Sequence, residues 1–527
     1  MLLAQLPLHA GWLGDPAGVT LANPFHGVHA WAGSVVGESL WAGRWPDPTD
    51  AAGFPVLNRA RYIGWAFLGV AAALHGWVSP LVVVNGAAIL GPALGATALV
   101  AFARRLQPGA HPAALWAAGV LYGLAPVTLG AAASGQVENA QSWVLPLLLL
   151  LLWEGCVRRP PWAGVLALGW ALGALTSPYL GLMAGLAAPW VWWGRRSRRG
   201  LLALGAAAAG LLGARAYLRP GAFDPDRDLF RPNFGYAGPP DLFSTPIAVA
   251  DLDTLLLGAP ELQVRTLVMH QPYLGLALLA GALALGRGRR RHGALALLGV
   301  TLAVGPVLAW QEQPLLLAGR AIALPASLLQ AVDFPLARGG QYYRAAILGS
   351  LGLSLMIAQA SAAGWRRAAL LAVALVGSAD ALRSVAAAGL PWPVTDLPEE
   401  AWVEWRADPV PGAVVHLPMF SEHLQPNHPA RLAGRTVHGR ALVAMPRSFT
   451  QPPSVPLLQG LRLCTRPGEA CALPALSSLQ AEGFRYVALD LPDTPERVSL
   501  RRRLVASWGE PSGAAGGLEW WTVGGAP

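Results

Sequence analysis

The chain has 527 residues, 54% hydrophobic and 13% charged, with a mean hydropathy of +0.43. A soluble domain carries about 25% charged residues, so the composition excludes a chain that is soluble throughout. The net charge of +9 does not point to nucleic acid, because 14 of the 38 basic residues, all arginine, sit in five short clusters that have a topological explanation.

Met1 to Leu13 is apolar but lacks a basic start and is too short to span, so it is not read as a signal peptide. It is expected to be the end of a first helix whose start lies outside the chain. Residues 14–60 form a first polar loop. It holds Gly14-Asp15-Pro16, then His26 and His29 before Trp31, then Glu38, Asp47 and Asp50. Acidic groups at the outer end of a membrane helix can serve as a general base or metal ligand. A solvated loop with an Asp-Pro turn is the competing reading. His26 and His29 are three apart and can share a helix face, which is a weak metal signal.

Apolar runs follow at about 62–78, 80–103, 111–130, 143–157, 162–177, 179–194, 200–218, 272–286, 293–311, 344–362 and 368–387. At about 20 residues per span they predict an α-helical polytopic membrane bundle of about eleven segments. Between them lie Arg104–Arg105, Arg158–Arg159, the four arginines of 195–199, the four of 287–291, and Arg366–Arg367. Arginine concentrates in short cytoplasmic loops. That puts 131–142, the large loop 219–271, 312–343 and everything after 388 outside. Strict counting then leaves 14–60 inside, although with Arg61 its net charge is −1. The expectation is that 62–78 lies in the interface or re-enters, with 14–60 outside.

Three later outside regions hold polar candidates. Ser134-Gly-Gln136-Val-Glu138-Asn-Ala-Gln141-Ser-Trp143 is a tight polar loop between apolar runs. It is placed either to bind a polar head group or to stand as a hydrated helix–helix turn. Residues 219–271 contain Asp-Pro-Asp-Arg-Asp, but lack the glycine and closing glutamate of a calcium loop, so they read as a solvated acidic loop. The third region enters the next apolar run through Gln341-Tyr342-Tyr343-Arg344. Arg344 sits near the outer face against the positive-inside trend. It suits bidentate phosphate binding, or snorkelling to the interface.

Residues 391–527 change character and read as one small extracytoplasmic α/β domain after a membrane domain at 1–390. Strands are predicted at 412–417, 435–443, 484–489 and 519–523, with helices at 473–482 and 494–508. Cys464 and Cys471 flank a Pro-Gly turn, and a disulfide is expected if that region is extracytoplasmic. His416, His423, His428 and His438 lack ligand spacing. No pattern matches a zinc site; a divalent metal stays open as a cofactor, without an indication for it.

The chain resembles bacterial multispanning membrane glycosyltransferases of the GT-C type. The likeness rests on Gly14-Asp15 with Trp31, on Ser134-Gly-Gln-Val-Glu-Asn before Trp143-Val-Leu-Pro146, and on Tyr273-Leu-Gly-Leu-Ala277. It continues in Leu324-Pro325, Phe334-Pro335, Arg338 and Tyr343-Arg344, and in Thr436-Val-His-Gly-Arg440 with Gly483-Phe-Arg-Tyr-Val-Ala488. The resemblance covers most of the chain as a loose pattern. It implies transfer of a sugar from a polyprenyl-phosphate carrier to an acceptor on the outer face of the bacterial inner membrane. Asp15 matches the base, Arg344 is the candidate for the lipid phosphate, and Glu138 would position. Gln136, Tyr343, His26 and His29 complete the expected substrate-binding set. A proline follows Asp15 where family members often show a second acidic residue. The rival reading is a non-catalytic protein for assembly or export of a surface polysaccharide. A transporter is third, disfavoured because charges sit at helix ends.

Overall fold

The computed structural model describes residues 2–17, 19–21, 24–46, 62–157, 162–194, 197–218, 255–256, 273–306, 308–310, 313–331, 342–386, 394–396, 399–417, 428–442, 456–464, 472–491 and 493–524. The chain forms two compact units. The first takes residues 1–10, 63–66 and 87–392; the second takes 11–62, 67–86 and 393–527.

The first unit is helical. Among the described residues, four helices are long and apolar enough to cross a membrane: Pro80–Leu106, Pro112–Ala133, Arg198–Leu218 and Trp365–Ala386. Val144–Gly155, Trp162–Thr176, Leu276–Leu285 and Tyr342–Ala358 are shorter apolar helices. The protein is a membrane protein.

Several expected runs have different limits. The run at 111–130 breaks into Pro112–Gly123 and Pro126–Ala133. Ala125, forced out of the helical region by the following proline, has ψ 132°. The run at 293–311 starts at Arg289 and stops at Ala303; Ala309–Trp310 then pairs antiparallel with Gln313–Pro314. The run at 62–78 yields only Trp65–Ala73, nine residues or about 14 Å of helix. That is less than half of a hydrocarbon core of about 30 Å.

Glycines set the closest helix crossings. A Cβ on Gly352 would lie 2.5 Å from the Ala296 nitrogen, and one on Gly299 would lie 2.2 Å from the Gly349 nitrogen. Helices Arg289–Ala303 and Ala346–Ala358 therefore touch backbone to backbone. In lipid, where apolar burial drives helices together weakly, such close van der Waals packing carries association.

The helices of this unit share two distinct ends. At one, Arg105 pairs with Glu154 at 2.9 Å, and Arg199 Nη1 donates to the Val157 carbonyl at 3.1 Å. There too Arg291 lies 4.7 Å over the Trp190 ring. Ser134, Trp143, Tyr179 and Arg344 lie at the opposite ends of neighbouring helices. Arg105, Arg199 and Arg291 thus mark one end of the bundle and the polar loop the other.

The second unit is built on a four-stranded sheet. Ala413–Leu417 runs parallel to Phe484–Leu489, which pairs antiparallel with Leu518–Thr522, itself antiparallel to Gly513–Ala515. Leu458, Leu461, Leu479, Leu500 and Leu504 pack with Val415, Val487 and Trp521 into its core. Trp405 stacks on Tyr486 at 5.1 Å and meets the edge of Trp520.

The predicted strand at 435–443 is corrected. Its first four residues end the helix His428–His438, and only Leu442 bridges in parallel to Val414. Thr436, Val437 and Val443 suggested a strand, but tertiary packing overrides that propensity. Gly434 sits where a Cβ would come 2.8 Å from Trp402.

Part of the segment read as a first polar loop is also helical. Pro24–Trp41 is an eighteen-residue helix packed along His428–His438, joined by Arg435 to Glu38 at 2.8 Å. Val19–Leu21 pairs antiparallel with Val394–Asp396. The early segment and the C-terminal region therefore fold as one body.

This unit buries titratable groups. His438 is held well below 6.5, the ordinary histidine value, by burial and then by His416, Arg435 and Arg440. A lowered folded value means the neutral ring favours the folded state. Its stabilisation is complete above pH 6.5 and is lost as pH falls below it. Purified protein should therefore lose thermal stability between pH 7 and pH 5, followed by tryptophan fluorescence, and His438→Phe should flatten that slope. An unchanged slope in the variant would refute the assignment.

Candidate functional site

The site lies in the first unit, at the end of the bundle away from the arginines. Its elements are fixed by proline breaks and caps. Pro126 starts the short helix that ends at Ser134, whose hydroxyl back-bonds to the Gly130 carbonyl at 2.6 Å. Gly135, with φ 65°, turns the chain into Val137–Ala140. Ser177 caps Pro178–Trp193, accepting from the Leu180 nitrogen, with proline at the first helical position. A 3-10 turn, Tyr342–Ala345, opens the helix that continues to Ala358.

These elements converge on Arg344, which is only 8% exposed. Its Nη2 donates to Gln136 Oε1 at 2.8 Å and its Nε donates to the Tyr343 hydroxyl at 3.2 Å. The guanidinium lies 3.9 Å over the Tyr179 ring. Asn139 Nδ2 donates to Glu138 Oε1 at 2.8 Å and to Gln136 Oε1 at 3.2 Å, and Asn139 Oδ1 accepts from Ser177 at 3.1 Å. Gln141 Nε2 donates to the carbonyls of Ala87 and Val137, while its Oε1 accepts from the Trp143 indole. A cavity opens against this network. It is lined by Thr128, Gln136, Asn139, Tyr179, Tyr343 and Arg344, with apolar walls that include Val127, Met183 and Ile347.

The electrostatics follow from burial. A guanidinium removed from water is costly unless paired and hydrogen-bonded. Here one aromatic face, two hydrogen-bond acceptors and the nearby charge of Glu138 stabilise it. Contact with a desolvated aromatic face contributes roughly 2 kcal/mol. The Nη1 group has no hydrogen bond to a described residue. A fixed, preorganised cation with spare donors at the wall of a cavity is suited to an anionic oxygen.

Of the residues singled out from the sequence, Gln136, Glu138, Tyr343 and Arg344 come together here. The loop 134–143 is not hydrated: Gln136, Glu138, Asn139, Gln141 and Ser142 are all buried. Asp15, His26 and His29 belong to the second unit. Asp15 is exposed on the turn after helix Leu2–Leu13. Buried Asn85 donates to the Pro16 carbonyl at 2.8 Å and so fixes the backbone beside it. His26 and His29 are buried on Pro24–Trp41, with His29 edge-on to Phe67 at 5.3 Å. Among the described residues, no three His, Cys, Asp or Glu side chains are grouped to hold a metal ion. Cys464 ends the helix Pro456–Cys464; Cys471, Arg338, Gln341 and nearly all of loop 219–271 lie outside the described residues.

Thr128, Tyr179 and Ser177 were missed in the sequence. Each is embedded in or beside an apolar run, where polar residues read as incidental. The Ser177-Pro178 capping pair was the available signal for the last two.

No protein family matches the chain in sequence, and no curated protein matches it. Its fold is similar to that of arabinofuranosyltransferase AftD from mycobacteria, solved by single-particle cryo-EM. The TM-score is 0.54 at 16% identity, covering 100% of this chain and 39% of that one. Two structures of a mutant of that enzyme give TM-scores of 0.52 and 0.51, at 17% and 16% identity, with 41% of each covered. The chain therefore spans about two fifths of the protein it matches. At 16–17% identity this likeness is one of fold alone.

Proposed function

We propose that the protein is a GT-C-like integral membrane glycosyltransferase that moves a sugar from a polyprenyl-phosphate carrier to an acceptor. The observation that carries this reading is buried Arg344, clamped on Tyr179 and Gln136 beside a cavity at the end of the bundle opposite the arginine clusters. By the positive-inside rule the arginine end is cytoplasmic, so the cavity faces the outer leaflet. The same proposal places the protein in the bacterial inner membrane, counts about eleven apolar segments of which the one at 62–78 does not cross, and makes the second unit extracytoplasmic with a Cys464–Cys471 disulfide.

In the proposed reaction the acceptor hydroxyl oxygen attacks the anomeric carbon. The bond from that carbon to the phosphate oxygen breaks, and polyprenyl phosphate leaves. Arg344 stabilises the charge that grows on the leaving phosphate, the term that commonly contributes most. Glu138 positions Arg344 through Asn139 and Gln136. Asp15 takes the acceptor proton as general base, in keeping with its exposed turn held by Asn85. His26 and His29 are proposed to shape the acceptor side through packing.

The test is made in cells. Asp15→Asn and Arg344→Ala are each expected to lower the surface glycan by about 100-fold or more, the scale of losing a general base or a transition-state donor, with protein level unchanged. Normal glycan at normal protein level in both variants would refute the enzyme reading and leave a non-catalytic role in polymer assembly or export.

A further inference from the structure

We infer that the Thr128 hydroxyl is a ligand-binding group that donates to an oxygen of the phosphate held by Arg344. This rests on the reading of the cavity as a phosphate site.

Thr128 lines the same cavity as Arg344 and is 1% exposed, and its hydroxyl has no hydrogen-bond partner among the described residues. Helix hydroxyls in this unit ordinarily bond back to the preceding turn. Thr97 donates to the Ala93 carbonyl at 3.0 Å, Thr176 to Leu172 at 2.8 Å, Thr301 to Leu297 at 2.9 Å and Ser378 to Ala374 at 2.7 Å. Thr128 cannot follow them. Four residues back is Leu124, beyond the proline break, where Ala125 is extended. Three residues back, the Ala125 carbonyl already accepts from two backbone nitrogens, Thr128 at 2.8 Å and Leu129 at 3.1 Å, which takes both lone pairs; Ser327, in the same position after Pro325, can still bond the Leu324 carbonyl because that one accepts the Ser327 nitrogen alone. The break at Pro126 therefore removes the intrahelical acceptor and leaves a hydroxyl in the cavity wall.

A buried hydroxyl without a partner is costly, so its persistence calls for one. The neighbouring acceptors are committed. Gln136 Oε1 receives Arg344 and Asn139, and Asn139 Oδ1 receives Ser177. A donor left over beside a fixed cation matches an anionic oxygen rather than another donor. Ser350 and Ser354 are also buried without partners, but neither lines the cavity.

Binding of geranylgeranyl phosphate to the purified full chain in detergent tests this, with geranylgeraniol as the uncharged control and inorganic phosphate as competitor. Thr128→Val keeps the shape and is expected to weaken binding of the lipid phosphate about 10-fold, the loss of one hydrogen bond to a charged group. Thr128→Ser should restore it to within about 3-fold, and binding of the alcohol should not change. Should Thr128→Val fail to fold, Thr128→Ala is read in its place. Competition by inorganic phosphate assigns recognition to the phosphate alone; its absence assigns it to the lipid headgroup with its chain. Full affinity in Thr128→Val, with binding lost in Arg344→Ala, overturns the role of Thr128 and leaves the site reading intact. Full affinity in Arg344→Ala overturns the phosphate site itself.

Discussion

Gly352→Leu is expected to leave almost no folded protein. A Cβ at this position would stand 2.5 Å from the Ala296 nitrogen and 2.7 Å from the His292 carbonyl oxygen. Both obstacles are backbone, so no rotamer change relieves them. Helix Arg289–Ala303 would have to move away, separating Gly299 from Gly349 on the same seam. Overpacking a well-packed core costs about 1–3 kcal/mol when side chains can shift; a backbone clash sits at or above the top of that range. Native stabilities are only about 5–15 kcal/mol. Fluorescence-detected size exclusion of detergent-extracted protein is the measurement. Gly205→Leu is the control, since nothing lies within 4 Å of its Cβ position. A normal monodisperse peak for Gly352→Leu would refute the close crossing.

Arg440→Ala should unfold the second unit at ordinary temperature or close to it. The guanidinium donates to four carbonyls from the last turn of helix Glu399–Ala407 to the start of strand Ala413–Leu417: Trp405, Asp408 and Val410 at 2.8 Å each and Gly412 at 3.3 Å. It also lies 5.0 Å over the Tyr486 ring. Removing it leaves buried acceptors unpaired, each costing about 1–3 kcal/mol. It also leaves Asp408 with one cation fewer. Burial opposes the Asp408 charge, but hydrogen bonds from Arg485, Tyr486 and the Val410 nitrogen outweigh it and hold its pKa below the ordinary range. Loss of about 3–5 kcal/mol follows, as for breaking other buried charge pairs. Arg440→Lys should not rescue, because a point ammonium cannot reach four carbonyls at once. Unfolding of the second unit within about 2 °C of wild type would contradict the clamp, since 1 kcal/mol moves Tm by roughly 2–4 °C in a unit of this scale.

The arginine clusters made the bundle legible, because lipid leaves few places for a charge. They also made its two ends legible, and Gln136, Glu138 and Arg344 were found by being polar where spans meet. Other features were hidden for physical reasons. Pro24–Trp41 is laced with glycine and histidine, so no helical stripe marks it; its packing partner lies some 400 residues away in sequence. The stretch after Arg435 reads as a strand by its own propensities, and only the contact of Gly434 with Trp402 explains the helix. Arg440 entered through a family-like motif, yet its bonds are those of a structural clamp. Thr128 is invisible in an apolar run, because what distinguishes it is the acceptor that Pro126 takes away.

The pairing of Val19–Leu21 with Val394–Asp396 has a cost in time. The first strand leaves the ribosome long before its partner is made. From Leu21 to Val394 is 373 residues, and at about 5–20 residues per second the wait is roughly 20–75 seconds. Throughout that interval the bundle is being inserted while an unpaired edge and one face of Pro24–Trp41 stay uncovered. A chain stopped before residue 394 would keep them uncovered permanently and would offer them to quality-control proteases. The C-terminal segment therefore completes the second unit, and expressing it alone would leave it without the strand Val19–Leu21 and the helix Pro24–Trp41.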